Sequence, residues 1–321
     1  MHLAGVVLPS AGIDVKEPDF EASCLDMLQA VYLFKERKTQ RCFVGKFFGH
    51  RSCLTENEQS NSLNNEFKNL CLIREKGFRE IPQRVVKPLS KDELIDYLLV
   101  EDFVRGHDLD YYIMKAAYES QHKRLLRKLT KLAHFLFHLH NSTRNGARVD
   151  STQAANSFRR IIVSLERSGI LNKKSRQALS DMCDAYQKME TMWPDAAVLV
   201  HGDATPTNFI FHPEDGVTAI DLERMHTADC VYDVGMLAAE LKHHFAWRQL
   251  RADAAEPFIS HFFHAYCEKF PNPQEAFRDI TKRNRFYMAL GELRIARNPW
   301  LIRPHRLWLI EEAMRCLREP A

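Results

Sequence analysis

The sequence predicts an α+β fold of two lobes, and three observations predict it. Strand-like patterning crowds the opening third of the chain, and helical patterning fills the remainder. The length of 321 residues also exceeds the roughly 150 expected of one domain.

In the front region, 30–37 (AVYLFKER) and 41–48 (RCFVGKFF) are apolar, β-branched and aromatic, and the short polar KTQ between them makes a hairpin pattern. Helical spacing of Leu63, Phe67, Leu70 and Ile73 predicts a helix within 61–76, with Gly77 placed to stop it. Two further strand candidates follow, 83–89 (QRVVKPL) and 96–103 (DYLLVEDF). After Arg105-Gly106, Leu125, Leu129, Leu132, Leu136 and Leu139 fall on one helical stripe that ends at 141–146. Helices are also expected over 154–192 (two of them), 234–250, 257–270, 274–298 and 306–317. The boundary is set at 1–104 for the β-rich lobe and 105–321 for the helical one, and a ligand cleft is expected at their junction.

Composition narrows the function classes. Lys plus Arg (45) nearly balances Asp plus Glu (42), so a net charge of +3 gives no electrostatic case for nucleic acid or membrane surfaces. No window approaches the ~18 unbroken apolar residues of a membrane span, and no signal-peptide core is present. The eight cysteines, Cys53 among them, form no CxxC pair and are read as reduced thiols of a cytosolic protein.

The chemistry concentrates in 198–223, VLVHGDATPTNFIFHPEDGVTAIDLE. Two β-prone runs flank a loop carrying His201, Asp203 and Asn208, and the second run ends on Asp221. Asp is a general base and a ligand for hard cations; the Asn carbonyl is a neutral ligand for the same cation, and Asp221 adds a second carboxylate. Oxygen-only ligands point to Mg²⁺ or Mn²⁺ rather than zinc. An Asp, an Asn five residues on and an Asp thirteen after that is the spacing by which kinase-like sites separate base from metal ligands. The bland alternative is a hairpin whose polar residues satisfy turns.

On these residues the chain resembles the aminoglycoside phosphotransferase and choline kinase family, which has the bilobal protein-kinase-like fold. HGDATPTNFIF resembles the family's catalytic loop, AIDLE its metal-binding motif and DCVYDVGMLAAEL the helix that follows, with a weaker resemblance from about Leu28 onwards. His201-Gly202-Asp203 and the lack of DFG and APE motifs separate it from protein kinases. The resemblance implies a kinase of small molecules that uses ATP or GTP with Mg²⁺ and phosphorylates a hydroxyl of a small polar acceptor, aminoglycoside-, amino-alcohol- or sugar-like. It implies Asp203 as catalytic base, Asn208 and Asp221 as metal ligands, and Asp233 as a buried brace of the loop. Lys46 would align the nucleotide phosphates, anchored by Glu66; alone, Lys46 reads as an outward residue on an edge strand and Glu66 as a solvated helix residue. The YLLVEDFVRG stretch resembles the hinge, where the Glu101 carbonyl and Phe103 amide would meet the nucleobase. The stretch EASCLDMLQ stands where the family has its phosphate-covering loop, but contains no glycine. A catalytically inactive kinase-shaped scaffold is the alternative that this departure favours.

Two histidine pairs, His134/His138 and His261/His264, have chelating spacing but no third ligand nearby. The basic run Lys282, Arg283, Arg285, Arg294, Arg297, Arg303, His305 and Arg306 falls in the region that resembles the family's acceptor site. It suits an acceptor that is not strongly cationic, such as a sugar or an anionic metabolite, but a solvated surface is the simpler explanation of the same charges.

Overall fold

The computed structural model describes residues 2–50, 55–194, 196–213, 215–249 and 251–318. Cys53 and Leu250 lie outside them. The chain divides into two compact units. One takes in the chain to Gly106 together with Ile210–Arg224, and the other takes in His107–Phe209 together with the chain from Met225.

The first unit opens with helical turns ending in α1 (Leu8–Ser10), then β1 (Phe20–Asp26), β2 (Val31–Glu36) and β3 (Cys42–Phe47). After α2 (Glu56–Glu75) come β4 (Gln83–Val85), β5 (Pro88–Asp92) and β6 (Leu98–Asp102). The main sheet runs β1-β2-β3-β6-β5 with antiparallel pairing throughout. Side chains alternate across a strand, so Phe43, Leu98 and Val100 join Val7, Leu8 and Leu89 in an apolar cluster on one face. Lys46 and Glu101 fall on the other face, because Lys46 sits opposite Leu99 and Glu101 opposite Val44. In the same unit β10 (Val217–Ala219) pairs in parallel with β4 and lies between it and β9 (Phe209–Phe211). The QRVVKPL run is therefore split, with its first half pairing to β10 and its second half entering the main sheet.

Helix α2 starts on a capping box. Thr55 accepts from the Glu58 amide at 3.4 Å, and Glu58 accepts from the Thr55 amide at 2.8 Å. Its inward stripe is Leu63, Glu66, Leu70 and Ile73, all fully buried. Phe67 is only half-buried, so the inward slot expected for it belongs to a carboxylate.

The second unit begins with the short β7 (His107–Asp108) and α3 (Leu109–Glu119), capped by Asp108 on the Tyr111 amide at 2.8 Å. The helices α4 (His122–Thr143), α5 (Ser151–Arg167) and α6 (Lys173–Gln187) follow, and the five leucines of the α4 stripe have no exposed surface. Strand β8 (Val198–Val200) pairs with β11 (His226–Ala228). The unit ends with α7 (Val231–Gln249), α8 (Glu256–Cys267), α9 (Pro273–Ala296) and α10 (Arg303–Arg318). Helices α7 and α9 approach through two glycines: a Cβ at Gly235 would lie 2.7 Å from the Tyr287 Cβ, and one at Gly291 would lie 2.7 Å from the Ala239 Cβ. Any side chain there would force the helices apart.

Beside that seam, Glu292 is fully buried and its Oε1 has no hydrogen-bond partner. Burial pushes its carboxyl from 4.5 up to about 8, with Glu312 adding to the effect of burial and Lys242 opposing it. A carboxyl raised in the folded state contributes stability that is complete below about 4.5 and is lost as pH rises through about 8. The substitution Glu292→Gln removes that proton, so the drop in urea midpoint between pH ~5 and ~9 should shrink relative to the wild type. Equal drops in both proteins would show that Glu292 ionises as readily folded as unfolded.

Candidate active site

In the second unit, the loop after β8 is shaped by one buried carboxylate. Asp233, in the first turn of α7, accepts the backbone N–H of His201 at 2.6 Å and of Gly202 at 3.0 Å, and it bonds His140 Nε2 at 3.0 Å. His140 is fixed in turn against the Tyr266 hydroxyl at 2.8 Å. Burial works against charge on Asp233, but the bonds from His140 and the His201 amide outweigh it and hold the carboxyl below its usual range. Gly202 adopts φ +79, in the left-handed region that favours glycine, so both amides turn onto one carboxylate.

This bend presents Asp203 at the rim with 15% of its side chain exposed. The loop closes behind it: the Thr205 amide donates to the Asp203 carbonyl at 2.7 Å, and Asn208 Nδ2 donates to the same carbonyl at 2.9 Å. That bond leaves the Asn208 carbonyl oxygen as the atom a cation would take. Arg294, from α9, donates its guanidinium Nη2 to Asp203 Oδ1.

In the first unit, Lys46 is buried and pairs with Glu66 Oε1 at 2.5 Å and Glu101 Oε2 at 3.4 Å. Burial opposes its charge, yet the carboxylates of Glu101, Glu66 and Asp221 outweigh that, and its pKa is raised. Burial pushes Glu66 and Glu101 up as well. Glu66 Oε2 and Glu101 Oε1 are buried without hydrogen-bond partners, so the acids outnumber the single ammonium that they surround. Glu66, Asp221 and Glu223 each bring a carboxylate oxygen within 4.8 Å of the others. A hard divalent cation of the magnesium class fits this all-oxygen set and the partnerless Glu66 oxygen. Asp221 adopts φ +62, a left-handed conformation that Asp tolerates better than most residues.

The structure thus groups Lys46, Glu66, Glu101 and Asp221 in the first unit and Asp203 with Asn208 in the second. One sequence expectation changes, and Glu101 gains a second part to play. The Phe103 amide donates to the Cys42 carbonyl at 3.3 Å, because the chain is still alongside β3 there, so it is not a free donor for a nucleobase. Glu101 contributes its side chain, because strand alternation turns it toward Lys46. The glycine-free stretch 21–29 is mostly strand β1 and its turn, where Asp26 Oδ1 accepts the amides of Leu28 at 2.8 Å and Gln29 at 3.1 Å. The histidine pairs bind within the helical packing: His134 to Glu268 and His261 to Thr130, each at 2.8 Å.

Sequence reading missed Arg294 as a site residue, placing it in a basic run that a solvated surface also explains. The signal was its setting, since Leu290, Gly291, Leu293, Ile295 and Ala296 around it are all buried. Charge within so apolar a stretch calls for a partner.

A family model described as "Phosphotransferase enzyme family" matches residues 28–277. No curated protein matches the chain by sequence. Among solved structures, an ethanolamine kinase of Plasmodium vivax superposes with a TM-score of 0.62 at 13% identity, covering 94% of this chain and 82% of that one. A macrolide 2'-phosphotransferase type I gives 0.56 at 14% identity, with 90% and 88% covered. The aminoglycoside phosphotransferase APH(2'')-IIa, in complex with streptomycin and ATP, gives 0.53 at 12%, with 96% and 94% covered. These likenesses establish the protein-kinase-like fold.

Removing the Asp233 carboxylate should unfold more than a local contact. Asp233→Ala strands two buried amides and an imidazole, at an expected cost of about 3 kcal/mol in urea unfolding. Asp233→Asn, which keeps one acceptor, should cost less. An alanine variant as stable as the wild type would mean that the loop is held by something else.

Proposed function

The chain belongs to the phosphotransferase enzyme family, and from that premise we propose that it is a small-molecule kinase, moving the γ-phosphoryl group of ATP or GTP to a hydroxyl of a small polar acceptor with Mg²⁺. The observation that carries this reading is the buried Lys46–Glu66 pair beside Asp221. Desolvating a lysine against several carboxyls stabilises a fold poorly, whereas it fixes an ammonium where phosphate oxygens are to be aligned.

Asp203 orients the acceptor hydroxyl and takes its proton as the new oxygen–phosphorus bond forms and the bond to the β-phosphate oxygen breaks, releasing the nucleoside diphosphate. Asn208 and Asp221 are the proposed protein ligands of Mg²⁺, which when bound neutralises phosphate charge. Asp233 keeps the Asp203 backbone in place. Among the described residues no helix is long and apolar enough to cross a membrane.

A second reading, a nucleotide-binding module without turnover, is favoured by the β1–β2 turn. Its Leu28 and Gln29 amides are committed to Asp26, and it has no glycine to bring backbone close to phosphate. Thermal shift with Mg-ATP and Mg-GTP, followed by acceptor-dependent nucleoside-diphosphate release, separates the two: a shift with no release from any acceptor favours the module.

For the kinase, Asp203→Asn should keep the nucleotide-induced thermal shift and lower kcat by roughly a thousandfold. Full activity in that variant would remove Asp203 from the mechanism. Lys46→Met should instead diminish the nucleotide-induced shift itself; an undiminished shift would mean that Lys46 does not meet the phosphates.

A further inference from the structure

We propose that Arg294 makes the acceptor a hydroxyl compound that also carries a carboxylate or phosphate group, and that it disfavours amino alcohols and aminoglycosides. This inference rests on the reading of Asp203 as the base that receives the acceptor hydroxyl.

The argument starts from how Arg294 is held. Only 16% of its side chain is exposed, and it reaches Asp203 because α9 lies tight against α7 at Gly235 and Gly291. One of its N–H donors goes to Asp203 Oδ1, and another faces the thioether of Met236 at 3.9 Å, a weak acceptor. Its remaining donors have no partner among the described residues. The guanidinium stays charged, since the Asp203 carboxylate more than offsets the burial that works against it. The nearby Glu240 is pushed up by burial to about 7, so at neutral pH it supplies only part of a negative charge.

The loop brings no cation of its own, because Ala204, Thr205, Pro206 and Thr207 fill the space between Asp203 and Asn208 in sequence. Asp203 and Arg294 therefore make a balanced pair with unused N–H groups on the cationic side. A planar guanidinium with free donors matches the paired oxygens of a carboxylate or phosphate. An acceptor bearing such a group would lay its hydroxyl at Asp203 and its anion on Arg294, and two-point anchoring orients the hydroxyl. An acceptor with an ammonium in the same place would face a like charge whose neighbouring carboxylate is already shared. At contact distance that repulsion lowers affinity about tenfold or more. The phosphoryl transfer step is unchanged.

The test uses the full chain with Mg-ATP and Mg-GTP, reading nucleoside-diphosphate release against three acceptor sets: sugar acids and sugar phosphates, neutral sugars and polyols, and amino alcohols with aminoglycosides. In the wild type, the best anionic acceptor should exceed the best cationic one in kcat/KM by at least about tenfold. Arg294→Gln should raise KM for that anionic acceptor about tenfold or more, while the nucleotide-induced thermal shift stays as in the wild type, and Arg294→Lys should recover part of the loss. If the glutamine variant fails to fold, the lysine variant carries the test, with a raised KM for anions and the discrimination against cations retained. A wild type that works best on cationic or neutral acceptors overturns the inference and leaves the kinase reading standing. So does an Arg294→Gln variant that slows every acceptor class by the same factor, the signature of a residue that only holds Asp203. Nucleotide binding with no release from any set overturns the kinase reading, and this inference with it.

Discussion

The Asp233 carboxylate, with no exposed surface, carries a negative charge inside a helical core, and two consecutive backbone amides and one imidazole stabilise that charge. Since buried amides and a buried carboxylate are each costly alone, the set forms together or not at all. The bend at Gly202, the outward presentation of Asp203 and the return of Asn208 onto the Asp203 carbonyl all follow from that joint constraint. A rigid loop is what the proposed proton abstraction by Asp203 would require.

The first unit meets the opposite problem, an excess of acid around one base. Glu66 occupies a slot in the buried stripe of α2, Glu101 is turned inward by strand alternation, and Asp221 adds its field to both. Lys46 balances only part of this charge, and two carboxylate oxygens remain without donors. Such a cluster of carboxylates is poised to accept positive charge from outside the protein. The polar groups are thus arranged at the expense of the packing that an apolar residue at position 66 would give.

Much of this was legible in the linear pattern. The leucine stripe of α4, the β2–β3 hairpin and the helix containing Glu66 follow from periodicities of 3.6 and 2 residues, which burial enforces locally. The loop motif was legible because its residues are close in sequence and their chemistry is specific. Other features depend on what lies far along the chain. The strand β1 was hidden in an exposed, glycine-free segment whose strand character comes from pairing with β2. The QRVVKPL run divides between two sheets because β10, more than a hundred residues later, claims its first half.

By itself, the sequence determined the α+β class, the order of most elements and, through one short motif, Asp203, Asn208 and Asp221 as groups of interest; Lys46 and Glu66 were singled out by the family resemblance, since neither stands out in its own segment. Only the tertiary structure decided that Glu101 turns its carboxylate to Lys46, that the Phe103 amide is bonded to Cys42, and that Arg294 among several arginines meets Asp203. The physical reason is the same in each case. A charged or hydrogen-bonding group chooses its partner by distance after folding, and that distance is set by sheet register and by how closely two helices approach at Gly235 and Gly291, neither of which a single segment encodes.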